Sequence, residues 1–355
     1  FGWTYSINKG RLHVESTYGG LVDATTYVEN VPEGEYVGEQ ANKGATLATG
    51  TAVSETFDDG TLNDYYPMIE RLKSYCDEDY DLVFAASFGF MAQTIDVSGG
   101  YPPCAIGKDG NAHETHFVHV AGHQTNSRTS TVFGMIYQAR YLAGLVAGDA
   151  LAAAAGSPHG TPRGNSCVGY IAAFPIPEVQ RGINAFALGC RQKHSACVVK
   201  VMWTGTWHSD EIEGGAAHFF WHQEQCDLIT QHSDTAKPQE VYSANGGLGV
   251  GYNADVREVV GDSVLTAPML KWGPMFERFV AEKLRGAWTP EEQPWLGFAD
   301  AAVDLAPFFS PKVAPATVVE VMAKRQELIQ ASGRSAFHHI FCGPLRKQWA
   351  YDFAD

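Results

Sequence analysis

The sequence predicts an α/β protein made of two lobes, each built on a mostly parallel sheet flanked by helices. Short apolar runs alternate with amphipathic stretches along the chain, a pattern typical of parallel β and α units. A length of 355 residues also exceeds what one hydrophobic core usually serves. The pattern breaks after Gly122 and again after Tyr252, where a strand gives way to a polar stretch. We therefore expect one lobe over 1–124 and 255–295, and the other over 125–254 and 296–355.

The individual elements follow from the same periodicity, with strands assigned to short apolar or β-branched runs and helices to longer amphipathic ones. The predicted strands cover residues 22–28, 80–87, 115–121, 167–173, 196–203, 226–231, 247–252 and 263–270. The predicted helices cover residues 63–76, 132–154, 178–190, 210–225, 275–285 and 317–331. Segments 32–64 and 102–112 show no clear period and are predicted to be surface loops.

The charge and hydropathy of the chain exclude two classes of partner. Forty acidic residues against 25 basic ones give a net charge of −15, and such a surface repels the phosphate backbone of nucleic acids. The most apolar stretch, 141–155, is too short to cross a bilayer and is interrupted by Asp149. We expect no nucleic-acid partner and no membrane-spanning segment.

The cysteines predict at least one disulfide. Seven are present, at positions 76, 104, 167, 190, 197, 226 and 342, and none of the spacings is the C-x-x-C of redox and zinc motifs. Cys167–Cys197 is the first choice, because both residues open neighbouring predicted strands. Cys76–Cys104 is the second choice. Buried free thiols are the alternative reading.

Polar and aromatic residues follow three consecutive predicted strands, just before a helix begins. These segments are 174–178, 207–210 and 232–234. Because ligands bind beyond the carboxyl ends of strands in open parallel sheets, the three segments are expected to face one cleft.

The spacing of the histidines suggests a metal site, and one glycine-rich segment suggests an enzymatic phosphate-binding loop. His218 and His222 have the i, i+4 spacing of helical metal ligands, and His113, His116, His119 and His123 lie close together. Strand alternation separates the second group, so packed or surface histidines are preferred and no metal site is predicted.

The chain has no nucleophile elbow, P-loop or dinucleotide fingerprint. The glycines of 246–251 are assigned to a turn. We predict no enzymatic activity and no cofactor.

Several segments resemble one protein family, in order and over nearly the whole chain. They are GWTY (2–5), YVENVPEG (27–34), DLVFAASFGF (81–90), YLAGLVAG (141–148), AAFPIPEVQRGINAFALG (172–189), WTGTWHSDEIEGGAA (203–217), CDLITQHSD (226–234), KWGPMF (271–276), GAW (286–288) and CGPL (342–345). The chain is thereby similar to the basic membrane protein (BMP) family of substrate-binding lipoproteins, of the purine-nucleoside-receptor-like type.

The resemblance implies a type I periplasmic-binding fold with a ligand held in the cleft between two α/β lobes. Members of the family bind purine bases or nucleosides, some relatives bind flavin, and they deliver the ligand to a membrane transporter or act as receptors. An extracytoplasmic location follows, whether periplasmic, cell-surface or secreted. The family also has a strand upstream of Gly2-Trp3, so we expect the natural chain to begin before Phe1.

The resemblance also implies a set of ligand-binding residues. Trp3 and Trp207 are the expected stacking pair for a purine, whose two apolar faces suit aromatic rings. Asp234 is expected to accept a hydrogen bond from the ligand's polar rim. The remaining candidates are Phe88 and Phe174 as pocket walls, Asp255 and Lys271 near a sugar, Asn253 in place of a common acidic residue, and Tyr5 and Trp272 beside them.

Two alternatives from other classes stay open. The chain could be a structural or interaction protein that retains the binding-protein fold without transport, which the inserted segments and the seven cysteines would suit. A nucleoside hydrolase-like enzyme is the third hypothesis. Incubation with inosine and guanosine separates the three.

Overall fold

The computed structural model describes residues 2–29, 31, 67–107, 110, 112–290, 294–331 and 333–341. Its helices are α1 (Gly2–Tyr18), α2 (Pro67–Asp77), α3 (Met91–Gly100), α4 (Tyr137–Ala152), α5 (Pro177–Lys193), α6 (Asp210–His222), α7 (Lys237–Ala244), α8 (Arg257–Val260), α9 (Trp272–Leu284), α10 (Pro315–Ala331) and α11 (Gly333–Phe341). Its strands are β1 (Leu82–Ala85), β2 (His116–Val120), β3 (Thr129–Gly134), β4 (Cys167–Ala172), β5 (Val198–Trp203), β6 (Leu228–His232), β7 (Leu248–Val250), β8 (Pro268–Leu270), β9 (Trp295–Leu296) and β10 (Val303–Leu305).

Contacts divide the chain into two compact units, of which unit 1 comprises the described residues of Phe1–Thr17, Gly134–Met275 and Trp295–Asp355. Its main sheet has the order β5-β4-β6-β7, and all its pairs are parallel. Alternate residues of β4 face opposite sides of the sheet. Ile171 packs with the buried residues of α6 and α7, whereas the ring of Tyr170 contacts Phe186 of α5 at 5.9 Å. Helices therefore cover both faces.

Glycines allow α4 and α5 to pack backbone against backbone. A Cβ atom at Gly144 of α4 would collide with the carbonyl oxygen of Phe186. A Cβ atom at Gly189 of α5 would collide with the carbonyl oxygen of Tyr141. This close approach explains the small residues in the YLAGLVAG and INAFALG segments, where any larger side chain would force the helices apart.

Unit 2 comprises the described residues of Tyr18–Phe133 and Phe276–Pro294. Strands β1, β2 and β3 lie side by side and parallel, with β2 in the centre. Helices α2 and α3 contribute Leu72 and Val97 to a core that includes Val83 and Phe117 of the sheet. This arrangement is again a parallel sheet packed against helices.

Three disulfides lie in the described chain, and they correct one prediction and confirm another. Cys76–Cys104 is present, as predicted. The predicted Cys167–Cys197 bond is wrong, because the structure has Cys167–Cys226 and Cys190–Cys197 instead. The register of β4 and β5 explains the error: Cys167 lies opposite Val198. Residues one position apart point to opposite faces of a sheet, so Cys197 points away from Cys167 and towards α5.

The predicted α/β class with parallel sheets flanked by helices is confirmed, with local exceptions. The predicted strand at 22–28 is wrong, because the structure has only an isolated bridge between Gly19 and Val22 there. Strand β3 is absent from the predicted strands, because its last three residues adjoin the apolar start of α4 and fall within the helix predicted at 132–154. The predicted loop at 32–64 lies outside the described residues.

The bounds of the two units differ from those of the two predicted lobes. Residues 2–17 and 255–275 belong to unit 1, although the sequence grouped them with the residues before 124. Two hydrogen bonds explain the difference. The bond between Trp3 and Asp234 joins residues 2–17 to the main sheet of unit 1, and the bond between Trp272 and Ser6 joins residues 255–275 to residues 2–17. The lobes and the cleft between them stay a prediction. Within the described ranges, no helix has the length and apolarity that a bilayer crossing requires.

Candidate ligand-binding site

Aromatic side chains gather at the carboxyl ends of the parallel strands of unit 1. The rings of Phe174, after β4, and Trp207, after β5, lie 5.2 Å apart with a tilt of 59°. Trp207 lies 6.5 Å from the ring of His232, which ends β6. His232 in turn lies 4.6 Å from Tyr252, which follows β7. The three segments predicted to meet at this edge contribute Phe174, Trp207 and the residues around His232.

Asp234 joins the start of the chain to this edge of the sheet. Its Oδ1 accepts a hydrogen bond from the backbone N–H of Trp3 at 3.0 Å. Its own N–H donates to the carbonyl oxygen of Trp207 at 2.9 Å. Gly2 makes this approach possible, since it has a φ of +82° and a Cβ atom there would lie 2.6 Å from the Cβ of Asp234. Asp234 therefore joins the backbones of Trp3 and Trp207, and the ligand-binding roles of these three residues stay a prediction.

A buried carboxylate, Glu213 of α6, fixes the two loops that carry Trp207 and Asp234. The hydroxyl of Ser233 donates to Glu213 Oε2 at 2.7 Å. The backbone N–H of Ser209 donates to Glu213 Oε1 at 3.1 Å. Ser209 also caps α6, because its side chain accepts from the N–H of Ile212. One side chain thus ties the helix start to the end of β6, and sequence analysis missed it.

Desolvation raises the pKa of Asp234 from its ordinary value near 3.8 to about 7. The hydrogen bond from Trp3 opposes this shift, and the negative charge of Glu213 adds to it. At neutral pH, Asp234 is therefore poised between a carboxylate that accepts hydrogen bonds and an acid that can also donate one.

Trp272 supports Trp3 from within unit 1. The two indole rings meet edge to face at 5.0 Å. Trp272 is almost fully buried, and its Nε1–H donates to the hydroxyl of Ser6 at 3.0 Å. Because its one polar atom is hydrogen-bonded to Ser6 of α1, Trp272 contacts Trp3 by ring packing and holds it in position.

Asn253 holds the segment that leads to Lys271. Its φ is +56°, a left-handed conformation that asparagine tolerates better than most residues. Its Oδ1 accepts from the N–H of Leu270 at 2.9 Å, while its Nδ2 is buried without a hydrogen-bond partner among the described residues. Asp255 instead forms a two-point ion pair with Arg257, which lowers the pKa of Asp255. Lys271 is half-buried.

The last two predicted ligand-binding residues, Phe88 and Tyr5, have different surroundings. Phe88 is half-buried at the start of a short 3-10 turn after β1 in unit 2. The carbonyl of the preceding Ser87 accepts a hydrogen bond from His119 Nε2 at 2.6 Å. Tyr5 is 44% exposed on α1, with the ammonium group of Lys9 4.4 Å from its ring centre.

Buried polar groups that sequence analysis missed lie beside His232. Arg140 of α4 is fully buried, between the rings of Tyr252 at 4.5 Å and Tyr170 at 5.5 Å. Glu178, at the start of α5, lies 4.0 Å from His232. Burial raises the pKa of Glu178 to about 7 and holds that of His232 well below its usual value. The sequence pattern gave no sign of Arg140 as a buried polar residue, because most of its neighbours in α4 are apolar.

The histidines that suggested a metal have other contacts. His218 and His222 stack on each other at 5.9 Å. His116 stacks on Trp288 at 4.6 Å, and burial lowers the pKa of both His116 and His119 to about 4. Among the residues that the structure describes, no group of three or more His, Cys, Asp or Glu side chains is arranged to hold a metal ion.

The fold and this strand-end site define a class of small-molecule-binding proteins, and sequence comparison identifies the family. Residues 2–333 match the Bmp family, described as ABC transporter substrate-binding protein, PnrA-like. The chain belongs to this family. Its members are the substrate-binding components of ABC transporters, a class that works outside the cytoplasm and binds small molecules.

Two curated relatives are named for different ligands. A purine-binding protein of Brucella abortus is 28% identical over 348 residues, which cover 98% of this chain and 81% of that protein. A protein of Haloferax volcanii, named as a putative ABC transporter glucose-binding protein, is 28% identical over 257 residues, covering 72% of this chain and 59% of that protein.

Solved structures share the fold at low sequence identity. A solute-binding protein of an ABC transporter system from Aeropyrum pernix has a TM-score of 0.59 and 12% identity, over 74% of this chain and 79% of that one. A transcriptional activator of the comK gene from Bacillus halodurans has a TM-score of 0.58 and 20% identity, over 74% and 83%. These likenesses support the fold alone.

Proposed function

We propose that this protein binds a purine base or nucleoside outside the cytoplasm and delivers it to a membrane transporter. The observation that carries the proposal is the grouping of Trp3, Trp207 and Phe174 around Asp234 at the strand ends of unit 1. A purine has two apolar faces and a polar rim, so aromatic rings suit its faces and a carboxylate suits its N–H groups. The purine-binding relative in Brucella abortus supports the same ligand class.

The experiment is a calorimetric titration of the purified protein with hypoxanthine, adenine and inosine. Saturable binding of at least one of them, with one ligand per chain, is the expected result. If all three fail to bind while the protein is folded by circular dichroism, the purine proposal is wrong.

Glucose is a second candidate ligand, because the relative in Haloferax volcanii is named for it. Sugars also stack their apolar faces on aromatic rings, and carboxylates bind their hydroxyls. Glucose lacks the flat π-face that would use two aromatic walls, so we rank it below a purine. A parallel titration with glucose separates the two ligands.

We infer a binding role without catalysis. The family consists of substrate-binding proteins. We therefore expect a bound purine nucleoside to be released chemically unchanged. Incubation with inosine followed by chromatography tests this: release of hypoxanthine would support the hydrolase alternative. If no purine or sugar binds, the alternative of a structural or interaction protein that retains the fold without transport would be favoured.

A further inference from the structure

The outer face of α6 carries two histidines that lie one helical turn apart. The inner face of the helix packs Ala217 and Phe220 into the core of unit 1. His218 and His222 lie on the other side and are exposed. Because residues four positions apart are neighbours on the surface of a helix, both imidazoles project from the same strip of that surface.

The two imidazoles are parallel, accessible and not engaged elsewhere. Their ring centres lie 5.9 Å apart, with 9° between the ring planes. Neither ring forms a hydrogen bond or an ion pair with a residue that the structure describes. Gly215 lies on the same strip, one turn before His218, and a Cβ atom there would meet no neighbouring atom within 4 Å. The space beside the pair is therefore open to solvent and to a ligand.

Two imidazoles in this arrangement can chelate one metal ion. Metal–nitrogen bonds are about 2.0–2.1 Å long, so the two coordinating nitrogens must come to about 3 Å from each other. Side-chain rotation has to close the difference from the present spacing of the rings. Such rotation is available because His218 and His222 are both exposed, and rotamers of exposed side chains interchange rapidly.

The electrostatic surroundings favour a cation at this place. His222 lies in the last turn of α6, where the free carbonyl groups form the negative end of the helix dipole. The chain as a whole has a net charge of −15, which attracts cations to its surface. His218 lies eight residues from the start of the helix at Asp210, a rise of about 12 Å. The pair is thus separate from the strand ends that carry Trp207.

We propose that His218 and His222 together bind one divalent transition-metal ion, with Cu²⁺ bound more tightly than Ni²⁺ or Zn²⁺. Imidazole suits all three ions, and Cu²⁺ forms the most stable complexes in this series. Two protein ligands make an open site in which water fills the remaining positions. Mg²⁺ and Ca²⁺ prefer oxygen ligands and should not bind here. This site does not depend on the proposed purine binding.

The test is a calorimetric titration of the protein, without a polyhistidine tag, with Cu²⁺, Ni²⁺ and Mg²⁺. His218→Ala and His222→Ala each leave one imidazole of the pair. The control is the double variant His222→Ala with Gln223→His, which keeps the number of histidines but moves the second one by about 100° around the helix. Gln223 is exposed at the end of α6, so it accepts the change. The remaining histidines are the same in every variant and set the background affinity.

The wild-type protein is expected to bind one Cu²⁺ per chain more tightly than Ni²⁺, and Mg²⁺ should not compete. Each single variant should lose about hundredfold in Cu²⁺ affinity, because the second tethered ligand acts at a high effective concentration. The double variant should lose as much, although it has the same number of histidines as the wild-type protein. Electron paramagnetic resonance of the wild-type protein with one equivalent of Cu²⁺ should show two nitrogen ligands.

Wild-type affinity for Cu²⁺ in either single variant, or in the double variant, would overturn the inference. The spectrum of the wild-type protein decides the question without any variant: bound Cu²⁺ with fewer than two nitrogen ligands would show that the pair does not chelate it. Purine titrations are read separately, so failure of the proposed function and failure of this site can be told apart.

Discussion

The backbone N–H of Trp3 donates a 3.0 Å hydrogen bond to the carboxylate of Asp234, across 231 positions of sequence. This bond places the first helix against the loop after β6. Because the N–H of Asp234 donates to the carbonyl of Trp207, the same residue sets the positions of both tryptophans. The candidate site is thus organised around Asp234.

Replacing Trp207 with alanine should weaken purine binding by about 1–3 kcal/mol, because one stacking surface is lost. Trp207 is half-buried at a strand end, so the fold should survive. Calorimetry measures the affinity, and Trp203→Ala is the control, since Trp203 is an exposed tryptophan at the end of β5. Equal losses in both variants would contradict the stacking role.

Purine affinity should rise about tenfold between pH 6 and pH 8. With a pKa of about 7, Asp234 is mostly protonated at the lower pH and mostly an ionised acceptor at the higher one. Titrations at several pH values measure this dependence. In Asp234→Asn, affinity should be lower and the pH dependence lost; a variant that keeps the wild-type profile would assign the titration to another group.

Glu178→Gln should stabilise the protein more at pH 8 than at pH 5. The folded state raises the pKa of Glu178 to about 7, so between about 4.5 and 7 the folded chain holds a proton that the unfolded chain releases. Stability from this group is therefore present at low pH and lost as the pH rises through that window. The gain in unfolding free energy at pH 8 should be about 1–3 kcal/mol, measured by urea denaturation. A gain that is independent of pH would show that Glu178 has an ordinary pKa.

The two disulfides of unit 1 should differ in their effect on stability. Cys167–Cys226 spans 59 residues and Cys190–Cys197 only 7. Since longer loops lose more entropy on closure, replacing the first pair with alanine should cost about 4 kcal/mol and the second about 2 kcal/mol. All four sulfurs are buried, so the packing losses are matched. Alkylation of all four thiols in the denatured protein without reductant would refute both bridges.

Sequence periodicity predicted the parallel sheet of unit 1 and the strand ends that carry Phe174, Trp207 and Asp234, because both depend on local patterns. Arg140 could not be found in this way. Its neighbours in α4 are mostly apolar, and only tertiary packing reveals that its guanidinium has no acceptor among the residues that the structure describes. The choice of Cys197 as partner for Cys167 failed for a related reason: strand neighbours can be predicted, but the face to which each side chain points depends on the register.

Purine binding is tested most directly by identifying the ligand that the protein selects from a mixture. The protein is incubated with equimolar hypoxanthine, adenine, inosine and glucose, separated from free ligand and denatured, and the released molecules are identified by mass spectrometry. About one equivalent of purine per chain is the expected result. Release of glucose without any purine would contradict it.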